Sequence, residues 1–592
     1  MLHQVIILSL ALASAFACQS KSEVADKNWW KTSGFYQIYP SSFKDSDGDG
    51  IGDLNGITSK LDHVVDAGIG ALWISPIYPS PMADFGYDIS NFKDINPTFG
   101  TLADFDNLVA RAKQLNLKVI LDFVPNHSSD KHEWFEKSVK RIKPYEDYYV
   151  WRDGRDPDDT GKLQPPNNWL SVFQGSAWEW NEERGQYYLH QFVKGQPDLN
   201  YRSEYLRKEM EDVLTFWIKR GVEGFRIDAI NHMFEDESFA DEPPSNNPDV
   251  PEGYYDSLDH TLTKNQNETY LVLQSWRKLL DNYSEETGTD TKVIMTEAYT
   301  DLDLTMKYYT YGSNMPFNFG FITKARNGST ATELKSIIDE WVENMPKGYV
   351  ANWVIGNHDQ RRVASRYGVD RADQMSIICS ILPGIAVTYN GDEIGMLDTD
   401  ISWEETVDPA ACNTDEEHFE DYTRDPARTP FQWDDTTNAG FSTSNKTWLP
   451  VNENYLELNL EAQKKEKHSH YHVYQAMTAL RKLPILKRGS LTVKVLSENV
   501  LVLVRNIVGI PPVIALVNCG ETNKSVNVRT DIGALDQMTV YTSSVTSDII
   551  PGTKLATDNL QLPGAATVVL TSQNLYDIVY TFVLSIAMIM FI

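Results

Sequence analysis

Cysteine is scarce in this chain of 592 residues, which has only four, at positions 18, 379, 412 and 519. Small domains held together by disulfides carry a much denser cysteine pattern, so the sequence excludes a disulfide scaffold. The spacing also matches no zinc-binding motif. One disulfide is compatible with four cysteines, and its pairing stays open at this point.

Positive charge is scarce as well. Lys and Arg total 53 against 83 Asp and Glu, which gives a formal net charge of -30. Because a polyanion would be repelled, we expect no nucleic acid partner and no binding to an anionic membrane surface through charge. A small neutral substrate fits this composition better. The sequence does not indicate an oligomeric state.

A hydrophobic run occupies the first 17 residues and ends in the small-x-small pattern AFA, residues 15–17. This pattern is typical of a signal peptidase site, and the run is shorter than the roughly 20 apolar residues of a membrane-spanning helix. We therefore expect residues 1–17 to be a signal peptide and the protein to enter the secretory pathway. Five sequons fit a glycosylated extracellular surface: Asn267, Asn282, Asn327, Asn445 and Asn523.

A second hydrophobic run, IVYTFVLSIAMIMFI, covers residues 578–592. It is too short to span a bilayer comfortably but matches the about 10 to 20 residues of a removable glycosylphosphatidylinositol (GPI) signal. We predict that residues 577–592 are this signal and that the protein is held on the extracellular face of the plasma membrane. A short tail anchor and plain secretion are the alternatives. Candidate attachment residues are 564–566, Ser572 and Asn574.

Between these ends, short apolar runs alternate with helical patterns such as those of residues 101–116 and 203–221. Near-continuous apolar strands separated by amphipathic helices are typical of a parallel sheet. Eight such runs predict an α/β fold with a closed (β/α)8 TIM barrel, and a doubly wound open sheet is the alternative. The runs cover residues 34–40, 71–76, 118–127, 224–229, 293–298, 314–319, 350–359 and 384–393.

The barrel pattern has one long interruption and one clear end. Residues 128–200 after the third strand are too many for an ordinary loop and predict an inserted subdomain. After about residue 485 the pattern changes to alternating strands without long helices, which predicts a C-terminal β-sandwich. The expected domains are residues 28–127 and 201–485 for the barrel, 128–200 for the insertion and 486–573 for the sandwich.

Polar residues cluster where four of the predicted strands end. Arg226 and Asp228 lie two apart in GFRIDAINH, residues 224–232, so their side chains share one face of the strand. A single such pair is more often a structural ion pair than a catalytic one. Four strands that each bring charged or histidine side chains to one barrel rim favour a catalytic site there. The other strand-end residues are Asp122, His127, Glu297, His358 and Asp359.

These motifs, DFVPNH (122–127), GFRIDAINH (224–232), EAYT (297–300) and NHD (357–359), resemble the four signature regions of the α-amylase superfamily, glycoside hydrolase family 13. QPDLN (196–200) resembles the further motif of its oligo-1,6-glucosidase and maltase branch, and insect maltases are the most similar members. The resemblance implies that Asp228 is the nucleophile, Glu297 the general acid/base and Asp359 the carboxylate that stabilises the transition state. We expect Arg226 to lower the pKa of Asp228 and burial to raise that of Glu297.

The resemblance also implies a set of sugar-binding residues. His127 and His358 would bind hydroxyls of the cleaved glucose. In DFGYD (84–88), Asp84 would bind the non-reducing glucose and Tyr87 would stack under its ring. The segment RDPARTPFQW (424–433) would supply a sugar-binding arginine, for which we choose Arg428 over Arg424. Asn126, although in a sequon, belongs to this site and is expected to be unmodified.

The segment DSDGDGIGDLNG, residues 45–56, has the spacing of a calcium-binding loop. Its position 12 is glycine instead of the bidentate glutamate of an EF-hand, so a calcium sensor is not expected, and a solvated turn is the alternative. Maltases of this family carry a metal in this loop, which implies a structural Ca²⁺ for which Mg²⁺ can substitute. The predicted ligands are Asp45, Asp47, Asp49, Ile51 and Asp53.

The function implied is that of a retaining, exo-acting α-glucosidase acting on maltose, sucrose and short malto-oligosaccharides without an organic cofactor. Ala229 after the nucleophile implies a preference for α-1,4 over α-1,6 links, because isomaltose-cleaving relatives commonly have Val there. Two alternatives remain open. One is a non-catalytic surface receptor or binding protein on the same fold, and the other is a sugar transglycosylase or isomerase with the same carboxylates.

Overall fold

The computed structural model describes residues 25–157, 159–573 and 575. Its centre is a sheet of eight parallel strands, so the TIM barrel prediction is confirmed and the doubly wound alternative is wrong. Each strand pairs with the next one in the chain, except the sixth with the seventh, and the first pairs with the last. The strands are β1 Gly34–Ile38, β2 Ala71–Ile74, β3 Lys118–Phe123, β4 Gly224–Ile227, β5 Val293–Thr296, β6 Met315–Pro316, β7 Asn352–Val354 and β8 Ile385–Tyr389.

The barrel is nearly closed, since β6 and β7 are the ends of the strand order and are not paired with each other in the described part of the chain. The strands are buried on both faces, which explains their near-continuous apolar sequence. Helices pack around them with one apolar face inward. In the first long helix, Leu102–Gln114, the inward residues are Phe105, Leu108 and Ala112, and Thr101 with Asp104 forms a capping box at its start.

The other helices follow the barrel strands or lead into the C-terminal sheet. Those of five or more residues are Leu54–Ser59, Leu61–Asp66, Glu204–Lys219, Glu268–Thr287, Leu302–Thr310, Ala331–Asn344, Val363–Tyr367, Val369–Ile381, Leu460–Lys465, His470–Arg481 and Pro484–Arg488. The insertion and the C-terminal region each add one more, Glu133–Val139 and Val528–Ile532.

The segment between β3 and the helix Glu204–Lys219 has small antiparallel sheets of its own. Strand Gln186–Leu189 pairs with Trp151–Arg152 on one side and with Trp178–Asn181 on the other, and Arg155–Pro157 pairs with Leu163–Gln164. Aromatic rings fill its interior, with Trp169 stacked on Trp178. The segment forms one wall of the cavity described below. Two further long irregular segments, residues 228–267 and 392–459, lie on the same side of the barrel and were not anticipated from the sequence.

The C-terminal region has six antiparallel strands in one sheet, in the order Ser490–Ser497, Val500–Ile507, Ile510–Asn518, Thr567–Thr571, Gln537–Ser543 and Lys554–Ala556. Its two faces have different partners. Val502 and Leu516 face a two-stranded sheet, Lys524–Val526 with Leu560–Leu562, whereas Leu501 and Leu503 pack on residues of the barrel helices. The sandwich is therefore a large sheet with a small one on its outer face, and the barrel covers its inner face.

Three expectations concern the ends of the chain and its covalent links. The signal peptide, Cys18 and the tail 577–592 lie outside the described residues. Within those residues, no helix is long and apolar enough to cross a membrane. Cys379, Cys412 and Cys519 are all free thiols. The five sequon asparagines are exposed, and Asn126 is buried.

Candidate active site

The carboxyl ends of the barrel strands open into a cavity of about 310 Å³. Two of the predicted site residues, Arg226 and Arg428, lie behind the wall instead of on it. The predicted residues that line the cavity are Asp84, Tyr87, His127, Asp228, Glu297, His358 and Asp359.

Arg226 is the charge around which the catalytic carboxylates gather. It is 2 % exposed and donates through Nη1 to Asp122 at 2.9 Å and, at close range, to Asp228. Its Nη2 lies 3.5 Å from Glu297 Oε2. Strand pairing explains this meeting, because Arg226 of β4 is level with Asp122 of β3 and with Met295 of β5, two residues before Glu297. The single guanidinium group of Arg226 therefore pairs with three carboxylates.

The pKa values of these carboxyl groups follow from the presence of only one cation among three acidic side chains. Burial raises the pKa of Asp228, and the charge of Arg226 opposes the rise without reversing it, because Glu297, Asp122 and Asp359 act in the same direction as burial. The expectation that Arg226 holds the pKa of Asp228 below its ordinary value is therefore wrong. Burial also raises the pKa of Glu297, in agreement with the expectation for a general acid.

Asp228 and Glu297 differ in their contacts, and the difference decides which of them is ionised. Asp228 contacts the guanidinium of Arg226 directly, whereas Glu297 stands farther off and accepts the backbone N–H of Ala229 at 2.7 Å. When the cluster holds one proton, the direct ion pair favours the ionised form of Asp228 and leaves the proton to Glu297. An anionic carboxylate and a protonated carboxyl then face the same cavity.

Asp359 pairs with two arginines other than Arg226. Arg428 Nη2 donates to its Oδ1 at 2.9 Å, and Arg424 Nη1 lies 3.4 Å from the same atom. Burial works against ionisation of Asp359, but the histidine and the two arginines beside it hold its pKa well below the ordinary range. The histidine contributes only when it is protonated, and burial lowers its pKa well below the ordinary value, so at neutral pH the two guanidinium groups are the charges that keep Asp359 anionic.

The sugar-binding residues predicted from the sequence form one end of the cavity. Tyr87 stacks on His358 with ring centroids 5.3 Å apart and an angle of 7°. Asp84 and His127 are joined by Gln196, whose Nε2 lies 3.0 Å from Asp84 Oδ2 and 3.1 Å from His127 Nε2. Burial lowers the pKa of His127 to about 3, so this ring is neutral as well. Neutral histidines beside carboxylates suit hydrogen bonding to sugar hydroxyls.

The choice of Arg428 as the sugar-facing arginine is corrected by the structure. Arg428 is fully buried and donates to the backbone of His358 and to Asp359, so it supports the catalytic carboxylate from behind. Arg424 lines the cavity and contacts Asp84 at 2.8 Å. Asp408 fixes the position of Arg424, because its carboxylate accepts hydrogen bonds from Nη2 at 2.6 Å and from Nε at 2.9 Å. The sequence did not indicate a role for Asp408.

The remaining wall comes mostly from the irregular segments and the insertion. The lining residues of the insertion, Tyr255 and Lys264 carried no motif that marked them. The others lie in quoted motifs: Ala229, Asn231 and His232 in GFRIDAINH, Tyr299 in EAYT and Arg424 in RDPARTPFQW. Tyr255 and Lys264 belong to the segment after β4, and Phe173 and Phe192 belong to the insertion. The lining residues outside the predicted catalytic and sugar-binding set are Val172, Phe173, Phe192, Ala229, Asn231, His232, Tyr255, Lys264, Tyr299 and Arg424.

The predicted metal loop has three carboxylates close together. Oxygen atoms of Asp45, Asp47 and Asp49 lie within 4.8 Å of one another, and an all-oxygen set of this kind fits Ca²⁺ or Mg²⁺. Asp53 is placed differently from the prediction, because its carboxylate accepts the Ser46 N–H and the Gly56 N–H and caps the helix Leu54–Ser59. Whether the Ile51 carbonyl faces an ion stays a prediction.

A parallel barrel with three acidic side chains around one cavity at its carboxyl rim is the arrangement of a glycosidase. The family described as alpha amylase, catalytic domain, matches residues 37–489. Maltase 1 of Drosophila virilis is 52 % identical over 526 residues, which cover 88 % of this chain and 83 % of that protein. The chain therefore belongs to the α-amylase family, glycoside hydrolase family 13.

Two further relatives show the range of proteins to which this chain is similar. Trehalulose synthase of Pseudomonas mesoacidophila superposes with a TM-score of 0.80 at 31 % identity, covering 92 % of this chain and 99 % of that one. An amino acid transporter heavy chain of Homo sapiens is 37 % identical over 543 residues, 90 % of this chain and 77 % of that protein.

Proposed function

We propose that the protein is a retaining α-glucosidase that releases terminal glucose from maltose, sucrose and short malto-oligosaccharides. The observation that carries the proposal is the cluster of Asp228, Glu297 and Asp359 around one cavity, with Arg226 in contact with the first and 3.5 Å from the second. The similarity to insect maltases supports the same activity.

The geometry supports a double displacement. The ionised carboxylate of Asp228 attacks the anomeric carbon while Glu297 gives its proton to the glycosidic oxygen, so the leaving sugar departs as an alcohol and a glucosyl ester forms on Asp228. Glu297, now ionised, takes a proton from water, and the resulting hydroxide attacks the anomeric carbon and frees Asp228. Asp359, held anionic by Arg424 and Arg428, stabilises the positive charge that develops on the ring.

The shape of the cavity supports exo-cleavage. Arg424 and Asp84 both line the cavity and are joined by an ion pair that Asp408 extends, so this part of the wall is held together by charge contacts that a longer sugar chain would have to break. Gln196 binds Asp84 from the other side. The volume of about 310 Å³ suits a few sugar rings at most. A polymer threaded through the site is therefore not expected as a substrate.

The preference for α-1,4 links is attributed to Ala229. This residue lines the cavity next to the nucleophile and has a φ of 42°, in the left-handed region that β-branched residues avoid. A small side chain there leaves room for the acceptor sugar. Val would add two methyl groups, and each change of this size in a pocket is worth roughly 1–3 kcal/mol, so the preference is expected to be large but not absolute.

The test is the hydrolysis of maltose, sucrose, isomaltose and starch by the pure protein, measured side by side. We expect glucose release from maltose to exceed that from isomaltose and starch. Product analysis separates the alternatives. A transglycosylase or isomerase would convert sucrose mainly into new disaccharides, and a binding protein would leave all four sugars intact.

We further propose that the loop of Asp45, Asp47 and Asp49 holds a structural Ca²⁺, for which Mg²⁺ can substitute. Three acidic side chains whose oxygens lie within 4.8 Å of one another support this, because their charges repel unless a cation lies between them. The ion would link this loop to residues 442–446, since Ser442 Oγ donates to Asp45 and the backbone of Lys446 lies against Gly50.

We also propose that the protein is held on the extracellular face of the plasma membrane by a GPI anchor, with secretion as the alternative. The apolar segment 578–592, the signal-peptide pattern and the five exposed sequons support it. Attachment at 564–566 is disfavoured, because it would remove the strand Thr567–Thr571, which lies inside the C-terminal sheet. Phosphatidylinositol-specific phospholipase C should release the activity from intact cells. Activity that stays on the cells would exclude the anchor.

A further inference from the structure

A second cavity, of about 490 Å³, lies where the insertion meets the start of the helix Glu204–Lys219 and the segment after β4. Four arginines line it: Arg141, Arg152, Arg184 and Arg202. The chain as a whole has a net charge of -30, so carboxylates are available in excess to pair with arginines. Guanidinium groups that gather without such partners indicate a site for another kind of anion.

Only one of these arginines is neutralised by the protein. Arg202 contacts Glu235 at 2.8 Å and Glu237 at 3.0 Å, and both carboxylates also line the cavity. The other three arginines have no carboxylate oxygen within 4.0 Å among the residues that the structure describes. One further carboxylate, Asp147, lines the cavity. The wall therefore has more positive than negative groups.

Arg184 is fixed in place by uncharged partners. Arg184 is 9 % exposed, its Nη1 donates to the carbonyl of Ser138, and its guanidinium carbon lies 4.4 Å from the ring centroid of Trp151. Its Nε donates to Gln186 Oε1 at 2.9 Å, and Arg141 Nη2 donates to the same oxygen at 3.1 Å. Burial lowers the pKa of Arg184 to about 10, and the charge of Arg141 contributes to the lowering. Two cations are thus brought to one neutral oxygen.

Arg152 faces the cavity from another element and is also oriented by an aromatic ring. Its guanidinium carbon lies 3.5 Å from the ring centroid of Phe239, and its Nη1 donates to the backbone carbonyl of Trp151. Stacked guanidinium groups keep their N–H donors in a fixed plane, which is the geometry that binds the oxygen atoms of phosphate or carboxylate. Neutral donors and acceptors complete the wall, among them Tyr149 and Asn200.

We propose that this cavity binds a small oxyanion of the phosphate or sulfate type through Arg141, Arg152 and Arg184. The site is separate from the catalytic cavity, with which it shares no lining residue. All three arginines belong to the insertion, and Arg152 also lies against Phe239 of the segment after β4, so a bound anion would hold the insertion together and fix this contact. The expected consequence is a more stable protein in the presence of the anion.

Isothermal titration of the full-length protein with inorganic phosphate tests the proposal, with sodium chloride adjusted to keep the ionic strength constant. Thermal unfolding in phosphate, sulfate or chloride gives a second readout. The exposed arginines are the ones to change, since the buried Arg184 also supports the fold. The double variant Arg141→Gln/Arg152→Gln should bind phosphate at least about tenfold more weakly. The control Arg111→Gln/Arg529→Gln removes two exposed charges elsewhere and should bind like the wild type.

Two results would overturn the proposal. One is equal stabilisation by phosphate and chloride at matched ionic strength, which would leave only a general salt effect. The other is a phosphate affinity in Arg141→Gln/Arg152→Gln equal to that of the control variant. A stronger effect of sulfate than of phosphate, lost in the same double variant, would support the site and assign its preference between the two anions.

Discussion

Arg424→Met should destabilise the protein and do so in a pH-dependent manner. In the structure Arg424 neutralises Asp408, which is fully buried and accepts three N–H groups of this one residue. Burial works against ionisation of Asp408, and Arg424 more than offsets it, so the pKa of Asp408 lies below its ordinary value. Removing one partner of a buried pair typically costs about 3–5 kcal/mol, since a charge is left without a counter-ion.

Protonation of Asp408 sets an upper limit to that loss. A carboxyl with an unfolded pKa of about 3.9 can be neutralised at pH 7 for about 4 kcal/mol, and at pH 5 for only about 1–2 kcal/mol. In the variant the folded pKa of Asp408 rises above the unfolded value. The penalty is therefore absent below about pH 4 and grows as the pH rises toward the new folded pKa. The variant should lose about 3–4 kcal/mol at pH 7 and far less at pH 5.

Urea unfolding followed by tryptophan fluorescence, at pH 7 and pH 5, measures this difference. Arg111→Met is the control, because it breaks an exposed pair with Asp62 that is worth about 0–1 kcal/mol. Adding Asp408→Asn to Arg424→Met should recover much of the stability at pH 7. If Arg424→Met matches the control at pH 7, or if its loss does not depend on pH, the role given to this ion pair is wrong.

Four further predictions concern the site and the metal loop. Changing any catalytic carboxylate to its amide should lower kcat by at least about a hundredfold while the melting temperature stays near that of the wild type; a variant that keeps full turnover would contradict its role. Because burial raises the pKa of Glu297, and activity requires its protonated form, kcat/KM should fall with rising pH only above the ordinary glutamate value of about 4.3. Ala229→Val should cost about 1–3 kcal/mol of stability, because a β-branched residue is strained at φ 42°, and should lower the ratio of maltose to isomaltose hydrolysis, whereas Ala229→Gly should not be strained. Removing Ca²⁺ with a chelator should lower the melting temperature more than turnover, and a melting temperature indifferent to chelator and to added Ca²⁺ would exclude a metal in this loop.

The barrel was predictable because a parallel strand that is buried on both faces has a near-continuous apolar sequence. The catalytic face was predictable for the same reason, since charged residues at the ends of strands such as β4 and β5 must meet at one rim. The two faces of the C-terminal sheet were harder to assign. Val500–Ile507 is apolar at nearly every position, because alternate residues pack on the small outer sheet and on the barrel helices.

The arginine of the sugar site was not predictable. Arg424 and Arg428 lie four residues apart in a segment without long helices or strands, so no periodicity indicates which of them faces the cavity. The decision depends on Asp408, which lies 16 residues earlier in the same irregular segment and holds Arg424 toward Asp84. A pairing within an irregular segment leaves no periodic pattern in the sequence.

The pKa of Asp228 was misjudged for a related reason. The sequence shows Arg226 two residues away and suggests an isolated pair. Strand pairing also brings Asp122 and Glu297 to the same guanidinium, so the positive charge is shared. Asp53 is a similar case, because the spacing that suggests a metal ligand also makes it the N-cap of the helix Leu54–Ser59. Local spacing gives the candidates, and tertiary contacts decide among them.

The central claim is that Asp228 attacks the sugar and Glu297 supplies the proton. It is tested most directly by proton NMR of the glucose first released from maltose by the purified protein, recorded before the anomers equilibrate. Two successive inversions at the anomeric carbon preserve its configuration, so the account predicts α-glucose as the initial product. Initial release of β-glucose would contradict it, because a single displacement by water leaves no role for a nucleophile at position 228.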